Sequence, residues 1–250
     1  MIINKQKRIG KVIIFTEGEN PEFEIIENIF HHYLGYTITK KRRSNKIITE
    51  LQGSKYSKII LLNTPTSNID SINNESEFFD YIFKEFAIDL DIDTTNNPVY
   101  FVFDRDPINN RQGIVEKLLK KLTSSQNDSD EQNGLLLLSY PSIESFTLSA
   151  NERDSFDTKF KLGKDLKEFI SDKKYNSDIN DIKLEQAINE FLNFLEQKSV
   201  INNPSDIFEK LDVIGLKIFK IQQANYSREN LFFCISQLVE ILIDLQIIEL

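Results

Sequence analysis

Five carboxylates fall where buried strands would end. Glu17 and Glu22 follow the apolar run Val-Ile-Ile-Phe at 12–15, Asp104 and Asp106 follow Val-Tyr-Phe-Val-Phe at 99–103, and Glu144 follows Leu-Leu-Leu-Leu-Ser at 135–139. Like charges about 4 Å apart repel by roughly 4 kcal/mol at an effective dielectric near 20, so acids gathered at one rim call for a cation among them. Carboxylate oxygens suit Mg²⁺, Mn²⁺ or Ca²⁺, and a chain with 2 His and 1 Cys lacks the soft ligands of a zinc site. Each acid also has an ordinary reading. Glu22 alone would complement a helix dipole, and Asp104-Arg105-Asp106 alone would be turn chemistry. The functional reading rests on their combination after three strand ends. His31 and His32 are adjacent on a helix and point apart, which fits a structural role better than a shared metal.

The elements that must position these acids are legible from hydrophobic period. Residues 11–16, 58–63, 98–103 and 134–139 read as strands. Helices are expected at 22–33, where Phe23, Ile26, Ile29 and Phe30 share a face, at 75–88, at 113–122, and from Pro141 through Phe146. Uninterrupted apolar strands alternating with helices mean a Rossmann-like α/β layer, a mainly parallel sheet covered by helices on both faces. In such sheets ligands bind beyond the carboxyl ends of the strands, which is where the acids stand. Residues 123–133 read as a polar loop. Beyond about residue 154 the spacing predicts helices at 161–172, 181–198, 204–224 and 227–248, giving an α/β domain over 1–153 and an α-helical C-terminal region over 154–250. Leu231, Ile235, Leu238, Leu242 and Leu245 form a stripe on the last of these helices, suited to an internal core or to a homodimer contact.

Composition narrows the partners. At 250 residues, with 40% hydrophobic content, the chain can bury a sizeable core, and its net charge of −9 excludes a general polyanion-binding surface. Any grip on nucleic acid has to be local. Lys40, Lys41, Arg42, Arg43 and Lys46 form one dense basic run, placed in the connection between the first helix and the next strand, and Arg105 and Arg111 lie beside the Asp pair. The apolar run at 12–15 is too short for a secretion signal, and no run approaches the ~18 apolar residues of a membrane span. A lone cysteine, Cys234, fits a reducing compartment, so a cytoplasmic protein off the membrane is expected.

Three segments, VIIFTEGENPE, VYFVFDRDP and LLLLSYPSIESF, resemble in type and order the Toprim domain of the RloB-like and OLD-like nuclease branch over about residues 10–150. The resemblance implies a Toprim fold and Mg²⁺- or Mn²⁺-assisted attack on a phosphodiester. Asp104 and Asp106 would hold the ion, Glu22 and Glu144 would share in binding it, and Glu17 would act as general acid or base or as a further ligand. It also implies an antiphage-defence role of the AbiL/PARIS type, cutting DNA or RNA such as tRNA. No GxxxxGK[ST] loop is present, so an ATPase would be a separate partner. The alternatives are a Toprim-fold subunit that docks on a partner ATPase with its acids idle, and a primase-like nucleotidyl transferase.

Overall fold

The hydrophobic runs form the strands they predict. The computed structural model describes residues 1–18, 20–43, 46–54, 56–64, 82–83, 90–105, 107, 112–126 and 134–250, with the side chains of 42, 43, 46 and 47 outside the description. The predicted helix at 75–88 therefore lies outside the described residues, apart from Ile82 and Phe83, both buried. Among these residues the strands are β1 (Ile2–Ile3), β2 (Gly10–Thr16), β3 (Thr37–Arg43), β4 (Lys46–Gln52), β5 (Ser57–Asn63), β6 (Val99–Asp104), β7 (Leu135–Tyr140), β8 (Lys159–Phe160), β9 (Phe232–Phe233), β10 (Ile235–Ser236) and β11 (Ile248–Glu249). The helices are α1 (Glu22–Glu27), α2 (Gln112–Lys121), α3 (Glu144–Asn151), α4 (Gly163–Lys173), α5 (Asp181–Gln197), α6 (Ile207–Glu229) and α7 (Val239–Asp244). A π-helical turn, Asn28–Tyr33, continues α1. The result is an α/β fold built on a mixed seven-stranded sheet of order β10-β7-β6-β2-β5-β4-β3.

The chain divides into two compact units, one of residues 6–102 and 109–136 and the other of residues 1–5, 103–108 and 137–250, a partition that runs through β6 and β7. In the first unit β2 pairs in parallel with both β5 and β6. Val12, Ile13, Ile14 and Phe15 are wholly buried, which is what an apolar run without alternation requires of a strand covered on both faces. Phe15 stacks on its register partner Phe101 at 5.2 Å. A Cβ on Gly134 would lie 2.5 Å from the Phe101 ring, so only glycine fits there. On α2, Val115, Leu118 and Leu119 face inward.

The basic run is strand, where a connecting loop was expected. Thr37–Arg43 and Lys46–Gln52 pair antiparallel from Thr37 opposite Gln52 to Arg43 opposite Lys46, and β4 pairs antiparallel with β5. Strand β4 buries Ile48, Thr49 and Leu51, while Thr39, Lys40 and Lys41 of β3 are exposed, so the charges masked the strand character of the hairpin. Lysines on an edge strand also discourage pairing with other chains.

In the second unit β10 pairs antiparallel with β7, β8 with β9, and β1 with β11. Helix α5 is capped by Asn180, whose side-chain oxygen accepts from Lys183 N at 2.9 Å, and it buries Leu184, Ile188, Phe191 and Leu195 along one face. The expected helix at 227–248 does not form. Asn230, left-handed at φ 58°, ends α6, and the following residues split into β9, β10, α7 and β11. A continuous apolar run cannot be told from a buried helix by periodicity, and here both of its faces are covered. Ile235, Leu238, Leu242 and Leu245 are buried within the chain, so of the two uses open to this stripe, internal core and homodimer contact, these residues serve the first.

Inside α7, Glu240 is wholly buried and accepts from Gln237 Nε2 at 2.8 Å. Burial, opposed by that hydrogen bond and reinforced by Asp244, pushes its carboxyl up to about 8. The folded state then holds the proton more tightly than the unfolded one, so stability is greatest below the ordinary value of 4.5 and falls as pH rises from there to about 8. Denaturant titrations across that range should show the wild type losing on the order of 5 kcal/mol relative to a variant without this carboxyl. Glu240→Gln should flatten the dependence and be the more stable protein at pH 8.5, chosen just above the value of about 8. Parallel curves for the two proteins would refute this account.

Candidate active site

The acids occur as two local pairs, one in each unit. In the first, β2 ends at Thr16, whose hydroxyl donates to Gly18 O at 2.5 Å and folds the chain into the turn that carries Glu17. Glu17 N donates to Val102 O at 3.3 Å, which fixes the turn against β6. Glu22 opens α1 with Glu24 in the first turn, favourable at the positive end of a helix. Its side chain is buried and lies against Gly18, where a Cβ would come 3.4 Å from Glu22 Oε2. Glu17 is half-buried, and Glu19 lies outside the described residues.

In the second unit, Asp104 is the last residue of β6, and its Oδ1 accepts from Ile143 N at 2.8 Å. That amide immediately precedes Glu144, the first residue of α3, so one hydrogen bond holds the two acid-bearing segments together. Glu144 Oε2 accepts from Ser142 Oγ at 2.7 Å, and its Oε1 lies 3.4 Å from Lys167 Nζ on α4. A Cβ on Gly163 would fall 2.9 Å from Ser142 Cβ, so a glycine is what lets α4 approach closely enough for Lys167 to reach the acid one turn later. Gly163 and Lys167 were invisible to sequence reading, since they lie on the next helix and carry no motif, while Ser142 stands inside the third motif without any sign there of its bond to Glu144.

Asp106 and Arg111 lie outside the described residues. Arg105 does not face solvent. It is 3% exposed, with its guanidinium carbon 5.8 Å from the ring centres of both Phe219 and Phe232. The expectation that Arg105 contacts a phosphate is thereby corrected, because the side chain is buried against aromatic rings, which a planar, weakly hydrated cation tolerates better than an ammonium would, and a phosphate outside does not reach it. Lys40 pairs with Glu27 at 3.3 Å, and Lys41 shares Glu50 with Lys58, at 2.7 and 3.0 Å. Burial works to raise the Glu50 carboxyl, but the hydrogen bonds from these two lysines outweigh it and hold it below the usual value. Arg42, Arg43 and Lys46 belong to β3 and β4, with side chains outside the description. His31 Nδ1 donates to the Tyr36 carbonyl, a structural bond.

Asp104 and Glu144 offer the hard oxygens that Mg²⁺ or Mn²⁺ prefers. Among the described residues no group of three or more His, Cys, Asp and Glu gathers in a metal-binding arrangement, so a full ligand set would have to draw on a residue outside them, such as Asp106. No helix among the described residues is long and apolar enough to cross a membrane.

No protein-family model matches the sequence. No curated protein matches it either. Among solved structures, the cytosolic domain of the T. maritima FeoB iron transporter in its apo form is similar at 16% identity over 76% of each chain, with a TM-score of 0.21, too low to carry a conclusion about fold or function.

The contact between Gly163 and Ser142 can be tested by Gly163→Ala. The added methyl must displace Ser142 and with it the bond to Glu144, an overpacking that should lower stability by about 1–3 kcal/mol in thermal or urea unfolding. Wild-type stability in that variant would show that α4 does not pack on Ser142 as described.

Proposed function

We propose that the protein is a Toprim-type, divalent-metal-dependent nuclease that hydrolyses phosphodiester bonds of DNA or of RNA such as tRNA, serving as an antiphage-defence effector beside a separate ATPase. The observation that carries this reading is Asp104: an acid at the end of the buried strand β6, its carboxylate steered by the Ile143 amide that introduces Glu144. The ordered motifs at 12–22, 99–107 and 135–146 supply the rest of the support.

In this reading Asp104 and Asp106 would hold Mg²⁺ or Mn²⁺ and Glu144 would contribute, with a share for Glu22 that the motif resemblance implies. The ion, when bound, stabilises charge on the reacting phosphate and makes water a better nucleophile near neutral pH. Hydrolysis joins the water oxygen to phosphorus and breaks one P–O bond, and Glu17 is the group that takes up the water proton or returns one to the departing oxygen. Lys40, Lys41, Arg42, Arg43 and Lys46 grip the backbone of the substrate, with Arg111 as a further contact. Helix α4 braces Glu144 through Lys167.

A second reading has one specific observation in its favour. Both oxygens of Glu144 are engaged by Ser142 and Lys167, as suits an acid kept for structure in a subunit that docks on a partner ATPase.

Purified protein incubated with total tRNA and with plasmid DNA, in Mg²⁺ and in Mn²⁺, should cut one of them. Asp104→Asn should lower the rate by about 100-fold or more while the circular dichroism stays unchanged. Cleavage by the variant at the wild-type rate would sink the nuclease reading. An inactive variant that still protects cells fully would point to the docking role.

A further inference from the structure

We infer that Arg105 is a positioning residue, a buried latch that fixes Asp104 by tying the end of β6 to α6 and β9. The inference rests on the metal-dependent reading for its catalytic meaning, though not for the latch itself.

Asp104 is held from two sides along the chain. Its own carboxylate accepts the Ile143 amide. The next residue, Arg105, donates its backbone N–H to Ser139 O on β7 at 2.8 Å and sends its side chain inward. The guanidinium there meets Phe219 of α6 and Phe232 of β9. Both rings are themselves buried and restrained. Phe232 stacks on Tyr226 at 4.6 Å and meets Tyr140 edge-on at 5.7 Å. Helix α6 is pinned to β9 by Gln222, which donates to Phe233 O and accepts from Phe233 N, each at 3.0 Å. Arginine suits this place because its planar, weakly hydrated cation can lie against ring faces, where a compact ammonium would stay strongly hydrated. A charge-free apolar residue could fill the space but would lose the attraction that fixes the direction of the chain at 105. Asp104 would then sample orientations other than the one that meets Ile143. Acids that bind metals depend on such supporting partners, whose loss typically weakens metal affinity by about 10- to 100-fold.

Three variants test the latch: Arg105→Met, which keeps an apolar stem, Arg105→Lys, which keeps the charge, and Phe219→Leu, which removes one ring without touching residue 105. Hydrogen exchange should speed up at the Ile143 and Arg105 amides in Arg105→Met while the β2 amides stay protected. The Mn²⁺ concentration for half-maximal cleavage should rise about 10-fold or more. Arg105→Lys and Phe219→Leu should fall between this variant and wild type. Unchanged exchange at Ile143 overturns the latch, and so does a uniform rise that includes β2, since that marks a merely structural role. A wild type that cleaves, with Arg105→Met needing no more Mn²⁺, overturns the positioning role and leaves the nuclease reading intact. A wild type that cleaves nothing, with Ile143 exchange still raised in the variant, overturns the nuclease reading and leaves the latch standing.

Discussion

Burial of the central strands on both faces is the constraint from which the rest of the molecule follows. Along β2 and β6 every residue from Val12 to Phe15 and from Val99 to Val102 is at most 1% exposed. Each such side chain contributes about 1.5–3 kcal/mol by leaving water, and a polar group without a partner would cost about as much in the same place. No chemistry can therefore sit along these strands. It is displaced to their carboxyl ends, and Asp104 is the residue at which β6 first regains exposure beyond that of the buried core. The tight fit of Gly134 against Phe101 shows how little slack the layer has.

What fixes the acids once they leave the sheet is a set of contacts from distant parts of the chain. Ile143 gives its amide to Asp104, Ser142 its hydroxyl to Glu144, and Lys167 its charge to the same carboxylate. Hydrogen bonds to ionised acceptors are short and roughly twice as strong as neutral ones, so each of these orients a carboxylate as well as solvating it. Arg105 belongs to the same pattern, with its cation turned away from the rim and used as ballast among Phe219 and Phe232. Helices that carry no catalytic motif thus have a clear mechanical task. They hold the second acid pair in shape.

The sequence made the apolar strands legible because their signal is local. Runs such as Val-Ile-Ile-Phe and Leu-Leu-Leu-Leu have no competing interpretation once turn residues bound them, and β2, β5, β6 and β7 lie within a residue or two of where they were expected. The amphipathic helices α2 and α5 were equally plain. Signals failed where one face was polar or where both were apolar. The strands β3 and β4 hid behind Lys40, Lys41 and Glu50, since no apolar alternation shows where consecutive residues put a charge on each face of β3. Residues 231–245 misled in the opposite sense, through a leucine spacing that a buried mixture of short strands and one helix satisfied as well as a long helix would. Of the candidate site, the acids were readable as motif residues, while Gly163 and Lys167 owe their roles to packing that no spacing encodes.

The basic hairpin shows why charge seen in sequence has to be weighed against charge seen in space. Lys40 and Lys41 project to opposite faces of β3, and each already faces a carboxylate, Glu27 on one side and Glu50 on the other. For nucleic acid to use them, a phosphate has to replace or share a carboxylate partner. Fully exposed ion pairs are worth only about 0–1 kcal/mol, but Glu27 and Glu50 are 18% and 13% exposed, so the exchange costs more than that at each position. It removes most of the gain that an unpaired lysine would bring, and it leaves Glu50 close to the incoming phosphate. Lys58, which also holds Glu50, softens that repulsion, because one cation remains with the acid when Lys41 turns outward. Under the proposed nuclease reading, a strand built this way would hold a phosphate backbone loosely and in a salt-sensitive manner, in keeping with a net charge of −9.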